Sequence, residues 1–68
     1  MFNCNAFYAA IKAKGETQGD AAKVMQINLA TLHRKVTGKS DFYRREIELF
    51  CLHYQVNPDE VFFNPDSA

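Results

Sequence analysis

The chain has little of what several protein classes require. Its 68 residues include no tryptophan, two prolines, three glycines and two cysteines. A small disulfide scaffold usually has more cysteines, and Cys4, His33, Cys51 and His53 lack the paired spacing of zinc ligands. No apolar run approaches the roughly 18 residues that span a bilayer, and no basic segment followed by an apolar one marks a signal peptide. We therefore predict no disulfide, no metal site and a cytoplasmic protein without a membrane segment.

Catalytic patterns are also missing. No Ser/His/Asp set, Gly-rich phosphate loop or carboxylate pair stands out. His33 is a lone histidine on a predicted helix, and His53 has no nucleophile nearby in the sequence. The prediction is that the chain is not an enzyme, with no catalytic residues and no cofactor.

The formal net charge is zero, but the charges are unevenly distributed. Residues 28–45 hold five cations against one acid, a net +4, and residues 46–68 hold five acids and no Lys or Arg, a net −5. A polyanion responds to a local field and not to the total charge, so the basic middle segment is compatible with nucleic acid. An ordinary solvated surface would give the same distribution.

The apolar residues recur at helical spacing, and no stretch alternates as a strand would. Hydrophobic residues make up 47% of the chain, enough for one small core in a single domain, 1–68. Capping residues such as Thr17, Asn28 and Asn57, and glycines at helix ends, divide the chain. The predicted fold is all-α and compact, with five helices at about 5–14, 18–25, 29–37, 43–54 and 58–63.

Spacing also predicts which side chains are buried. Cys51 shares a helical face with Phe50 and Tyr54, which predicts a buried free thiol. Lys35 lies between the two faces of the third predicted helix, so we expect its stem to cover apolar surface while its ammonium stays in water. Val61, Phe62 and Phe63 are expected to dock on the core.

The most informative pattern runs from residue 17 to residue 39. Two short predicted helices flank a three-residue break, and two consecutive alanines let the helices cross closely. The ordered set resembles the lambda-repressor-like, Cro/C1-type helix-turn-helix family of small phage and prophage regulators, over about five-sixths of the chain. Its pieces are Thr17-Gln18, Ala21-Ala22, Ile27-Asn28, Thr31-Leu32, Arg34-Lys35, Gly38-Lys39, Glu46-Ile47 and the closing residues 57–63.

Three positions depart from that family. Gln26 stands where members often have glycine, so we expect it to adopt a left-handed backbone at some energetic cost. Tyr43 stands where many members have a capping threonine, so Ser40 or Asp41 is expected to cap the fourth helix. Lys35 stands where many members have a large apolar residue, although some phage-type members also have lysine there.

The resemblance implies that a recognition helix, 29–37, enters the major groove with its first two turns towards the bases. Arg34 would donate twice to guanine; the alternatives are a phosphate contact or a solvated charge. Leu29 would meet thymine methyls or pack on the second helix, and Thr31 would contact a base or hydrogen-bond locally. The candidate base contacts are Leu29, Ala30, Thr31, His33 and Arg34.

The resemblance also implies a set of phosphate contacts. Gln18 lies at the start of the second helix, where its amide and the unpaired backbone N–H groups suit an anion. Arg44 and Arg45 either extend the phosphate track or pair with Glu48. The candidate phosphate contacts are Gln18, Thr37, Lys39, Arg44 and Arg45.

The function implied by the resemblance is a sequence-specific double-stranded DNA-binding transcriptional regulator, such as a phage repressor. Most such proteins bind paired half-sites as symmetric dimers. A homodimer would use the fourth and fifth helices and the C-terminal tail, with Tyr54, Phe62 and Phe63 as an apolar patch unless these three belong to the core. The alternative is a protein-interaction adaptor that uses the helical scaffold without DNA affinity.

Overall fold

The computed structural model describes residues 2–63. Within them the chain forms five helices and no strand, which confirms the all-α prediction, and each helix end lies within two residues of its predicted position. No helix in this part of the chain combines the length and the apolar character needed to cross a membrane. The tail proposed for dimerisation, residues 64–68, lies outside the described residues. The helices are α1 (Cys4–Ala13), α2 (Gln18–Val24), α3 (Leu29–Val36), α4 (Arg44–Tyr54) and α5 (Pro58–Val61).

Short polar side chains begin four of the five helices. Asn3 caps α1 by accepting a hydrogen bond from the Ala6 N–H at 3.1 Å. Thr17 and the side chain of α2's third residue form a reciprocal capping box. The side chains of Asn28 and Asn57 cap α3 and α5 by accepting a hydrogen bond from a backbone N–H of the first turn. Each cap satisfies an N–H group that the helix itself leaves unpaired, so these boundaries are encoded locally.

The start of α4 differs from the prediction. Neither Ser40 nor Asp41 caps it; the N-cap is Tyr43, in an extended conformation. The Glu46 carboxylate accepts a hydrogen bond from the Tyr43 N–H at 2.9 Å. A carboxylate from inside the helix therefore pairs with the N–H group of the N-cap residue.

An aromatic cluster forms the centre of the core. The rings of Phe7 and Phe50 stack with centroids 4.6 Å apart, and Tyr54 packs on Phe50 at 4.4 Å. Phe62 meets Phe50 edge-on at 5.6 Å. Because Tyr54 and Phe62 are buried, they belong to the core and offer no dimer patch.

Two predictions of burial were wrong at the C-terminal end of the described chain and in α4. Phe63 is 56% exposed and lies two residues beyond the end of α5 at Val61. Cys51 is a free thiol that is partly and not fully buried. Burial still raises the pKa of this thiol above its ordinary value.

The α2–α3 pair depends on small residues and a sharp bend. Ala21 and Ala22 are buried, and α3 packs chiefly against α2, which also packs against α1 and α4. Gln26 has φ 61°, which confirms the predicted left-handed backbone. The Ile27 N–H then donates to the Ala22 carbonyl at 3.0 Å and closes the bend.

Glu16 links the α1–α2 turn to the end of α4. Its carboxylate accepts a hydrogen bond from the Tyr54 hydroxyl at 2.9 Å and lies 3.1 Å from His53 Nε2. These hydrogen bonds, that of His53 first, lower the pKa of Glu16 below its ordinary value. Burial and the contact with Glu16 raise the pKa of Tyr54 above its ordinary value.

Lys35 is buried, contrary to the prediction that its ammonium stays in water. The residue is 5% exposed, and its Nζ lies 2.9 Å from Glu46 Oε1 and 2.8 Å from the Asp41 carbonyl oxygen. The Tyr43 ring centroid lies 3.9 Å from the same nitrogen. These groups replace the hydration that a buried ammonium loses. Sequence spacing could not reveal them because they follow Lys35 by six to eleven positions.

Candidate nucleic-acid interface

The outer face of α3 is open to solvent. Ala30, His33 and Arg34 are exposed, and Leu29 is 43% exposed and outside the core. Leu32 and Lys35 point the other way and are buried. Because the helix buries only this opposite side, α3 presents a row of short, polar and basic side chains outward.

Thr31 is the least accessible of the candidate base contacts. It is half-buried, and its N–H donates to Asn28 Oδ1 at 2.7 Å. The backbone of Thr31 thus serves the cap of α3.

Gln18 and His33 join α2 to the outer face of α3. His33 Nε2 lies 2.9 Å from Gln18 Oε1. An amide oxygen only accepts, so in this orientation the histidine ring nitrogen donates. This hydrogen bond places Gln18, a predicted phosphate contact, beside His33, a predicted base contact. Sequence reasoning placed each residue separately and missed the pairing, because the two are 15 positions apart.

The start of α2 is less favourable to an anion than the sequence suggested. Asp20 Oδ2 accepts hydrogen bonds from the Thr17 N–H at 2.9 Å and from the Thr17 hydroxyl at 3.1 Å. These bonds lower the pKa of Asp20, so the carboxylate is charged where the helix end is positive. A phosphate near Gln18 would meet the amide of that side chain together with a neighbouring negative charge.

The residues after α3 fold back on its last turn. The Thr37 hydroxyl lies 2.9 Å from the His33 carbonyl oxygen and 3.2 Å from that of Arg34. A phosphate contact would have to replace this internal hydrogen bond. Lys39 is exposed, and its N–H donates to the Arg34 carbonyl at 2.9 Å, so its backbone is fixed beside α3 while its side chain is in solvent.

Arg44 and Arg45 have different partners. Arg44 Nε lies 3.2 Å from Glu48 Oε1, with both side chains highly exposed. An exposed pair of this kind contributes little and is easily exchanged. Arg45 Nη2 donates to Gln26 Oε1 at 2.7 Å, which ties the first turn of α4 to the bend between α2 and α3. Pairing with Glu48 is thus observed for Arg44 but not for Arg45.

The accessible charge differs from the formal charge of the segments. Lys35 and Glu46 neutralise each other inside the protein, so neither contributes to the surface field. The exposed cations of residues 28–45 are Arg34, Lys39, Arg44 and Arg45.

An apolar groove lies on another part of the surface, between the start of α4 and α5. It has a volume of about 480 Å³ and includes Ile47, Pro58 and Phe63, with Arg44 and Glu48 at its edge. Leu52, also on α4, is 78% exposed. Leu52 and Phe63 are thus accessible apolar side chains, unlike Tyr54 and Phe62.

No group of three or more His, Cys, Asp or Glu side chains that could hold a metal ion occurs among residues 2–63. Comparison of the chain with protein-family models, curated proteins and solved structures found no match. What the protein does therefore has to be inferred from its own residues.

Proposed function

We propose that this chain is a sequence-specific double-stranded DNA-binding transcriptional regulator of the lambda-repressor-like helix-turn-helix type, of the kind found in phages and prophages. The observation that carries the proposal is the one-sided exposure of α3. Leu29, Ala30, His33 and Arg34 are exposed next to a sharp bend, while the opposite side of the helix is buried.

The dimensions and chemistry of α3 support insertion into a major groove. An α-helix with its side chains is about 10 to 12 Å across, which fits the width of the major groove, about 12 Å. Arg34 supplies a planar donor pair for guanine O6 and N7, and the small side chain of Ala30 suits a thymine methyl. His33 is oriented by Gln18, so its ring is held before any DNA arrives.

The groups around α3 support contacts to the phosphates. Lys39 is exposed immediately after α3, and the Gln18 amide lies beside its outer face. Arg44 has only an exposed partner to give up. Such contacts supply affinity that depends on salt, while the α3 side chains supply the choice of sequence.

The first test selects bound duplexes from a random pool and then measures affinity against salt concentration. We expect a defined motif and a steep salt dependence, which Lys39→Ala reduces by about one unit in log–log slope. Lys23→Ala is the matched control, since it removes an exposed cation that belongs to neither predicted contact set.

The second test separates the roles of Arg34. Arg34→Ala is expected to cost about 1 to 3 kcal/mol on the selected duplex and to relax the choice at one base pair. Arg34→Lys keeps the charge but loses the planar fork. If Arg34 reads a base, the lysine variant loses discrimination while keeping the salt slope; if it binds phosphate, the lysine variant behaves like the wild type.

The same experiment decides between DNA binding and a protein-interaction adaptor. Duplex binding that is absent at low salt, or unchanged by Lys39→Ala and Arg34→Ala, favours the adaptor. A selected motif with two-fold symmetry would support a dimer on paired half-sites, for which the apolar groove beside α4 is the available surface.

A further inference from the structure

The buried Lys35 ammonium lies where three parts of the chain meet. Its partners are Glu46 on α4, the Asp41 carbonyl and the ring of the N-cap Tyr43. The segment from residue 37 to residue 43 is here called the α3–α4 loop. Since Lys35 itself belongs to α3, one side chain connects this helix, the loop that follows it and the helix after that.

Helix packing alone does not fix the path of this loop. Helix α3 packs chiefly against α2, and the Lys35–Glu46 pair links it directly to α4. The loop has two further anchors. At its start, the Lys39 and Ser40 N–H groups donate to the Arg34 carbonyl, and near its end Phe42 packs on Phe2 at 4.9 Å. Asp41 lies between these anchors, and Lys35 holds its carbonyl.

An apolar side chain would fill the same space but could not hold a carbonyl oxygen. Replacing a buried ion pair with apolar residues of similar volume is often neutral or stabilising, so burial of the pair does not by itself argue for a gain in stability. What Lys35 adds is a directed hydrogen bond to the loop, and what Glu46 adds is a carboxylate that faces both that ammonium and the Tyr43 N–H.

We propose that Lys35 and Glu46 are positioning residues of the DNA-binding surface, which hold the α3–α4 loop so that Lys39 faces the same phosphate backbone that flanks α3. Lys35 contacts no DNA in this arrangement, because it is buried. The inference rests on the proposed function. It assigns two buried charges a role in the affinity of the protein surface for DNA.

The decisive variant replaces both charges, Lys35→Met with Glu46→Met, because removing one alone would leave an unpaired buried charge. We expect its urea midpoint to equal or exceed that of the wild type. Amide exchange of Lys39 and Ser40 should become roughly tenfold faster, while exchange of Met25 at the end of α2 stays unchanged. The log–log salt slope for the selected duplex should fall by about one unit, as for the loss of one phosphate contact.

Two controls separate positioning from general destabilisation. Asp41→Asn alters an exposed side chain but keeps the carbonyl, so exchange of the loop amides should not change. Glu46→Gln keeps an oxygen for the Tyr43 N–H and for Lys35 but not the charge. Because Glu46→Gln leaves the buried ammonium without an opposite charge, it should accelerate amide exchange throughout the protein and not selectively in the loop.

The outcomes are distinguishable. The inference is overturned if, in the double variant, the loop amides exchange at the wild-type rate and the salt slope is unchanged. A double variant that is unfolded also overturns it, since the pair would then be required for folding. A wild-type chain that binds neither the selected pool nor a random duplex at low salt rejects the proposed function, and with it any DNA surface to position. The exchange rates would still show whether the pair holds the loop.

Discussion

Two glutamine residues adopt a backbone conformation that glycine adopts with least strain. Gln26 has φ 61° in the bend between α2 and α3, and Gln55 has φ 57° at the end of α4. A left-handed conformation costs an L-residue with a side chain roughly 1 to 2 kcal/mol. Gln26 differs in one respect, since its side chain accepts a hydrogen bond from Arg45.

These two positions give a matched pair of substitutions. Gln55→Gly is expected to raise the free energy of unfolding by about 0.5 to 1 kcal/mol, since relief of strain exceeds the added freedom of the unfolded chain. Gln26→Gly should gain less, because it also removes the partner of Arg45. Urea denaturation of both variants measures the difference. Equal gains would mean that the Arg45–Gln26 hydrogen bond contributes nothing to stability.

Side-chain burial shows where residue-level reasoning succeeded and where it stopped. Helical spacing alone placed Phe50 and Tyr54 on one apolar face, and both are buried. Lys35 was predicted to keep its ammonium in water because a lysine is normally solvated. The groups that replace water around it lie beyond the helix that contains it. Periodicity describes one helix face and carries no information about what other segments place against it.

At the scale of the elements, local signals predicted the helices well. Asn3, Thr17, Asn28 and Asn57 each cap a helix through a neighbour two or three positions away, so the sequence contains both partners of each contact. The polar contacts between elements were not predicted. Glu16 and His53 are 37 positions apart, and Gln18 and His33 are 15 apart. No short-range pattern couples residues at such separations.

The contact of Glu16 with α4 predicts a dependence of stability on pH. Because the pKa of Glu16 is lower in the folded protein than its ordinary value, its contribution is present above the ordinary carboxylate pKa of about 4.3. The contribution is lost as pH falls through the lower, folded value. We expect Glu16→Gln to reduce stability at pH 6 and to have little effect in strong acid, as measured by urea unfolding at a series of pH values.

Glu48→Gln is the control for this experiment. Its carboxylate pairs with Arg44 on the exposed side of α4, where an ion pair contributes little. A difference between wild type and Glu16→Gln that stays constant across the acid range would show that the Glu16 charge is not linked to folding.

At the scale of the whole molecule, the small core leaves little margin. A chain of this length gains roughly 3 to 5 kcal/mol from a single core. Phe50 is fully buried and contacts Phe7, Tyr54 and Phe62. The loss of such a residue affects α1, α4 and the end of α5 together.

Truncation of this ring is therefore expected to unfold the protein. Phe50→Ala should cost about 3 to 5 kcal/mol, comparable with the total stability. Leu52→Ala, two positions further along the same helix, removes an apolar side chain that is 78% exposed and should change stability by less than about 0.5 kcal/mol. Circular dichroism at 25 °C distinguishes the two, and a folded Phe50→Ala variant would mean that the core is not limiting.

The burial of Lys35 has a consequence for chemical labelling. Lys12, Lys14, Lys23 and Lys39 are exposed, whereas the fifth lysine is enclosed by the folded chain. An amine-acylating reagent would modify the first four side chains in the native protein and reach Lys35 only in molecules that have opened. The rate at which the peptide containing Lys35 is acylated, followed by mass spectrometry, would thus measure how often the protein opens, without any engineered probe.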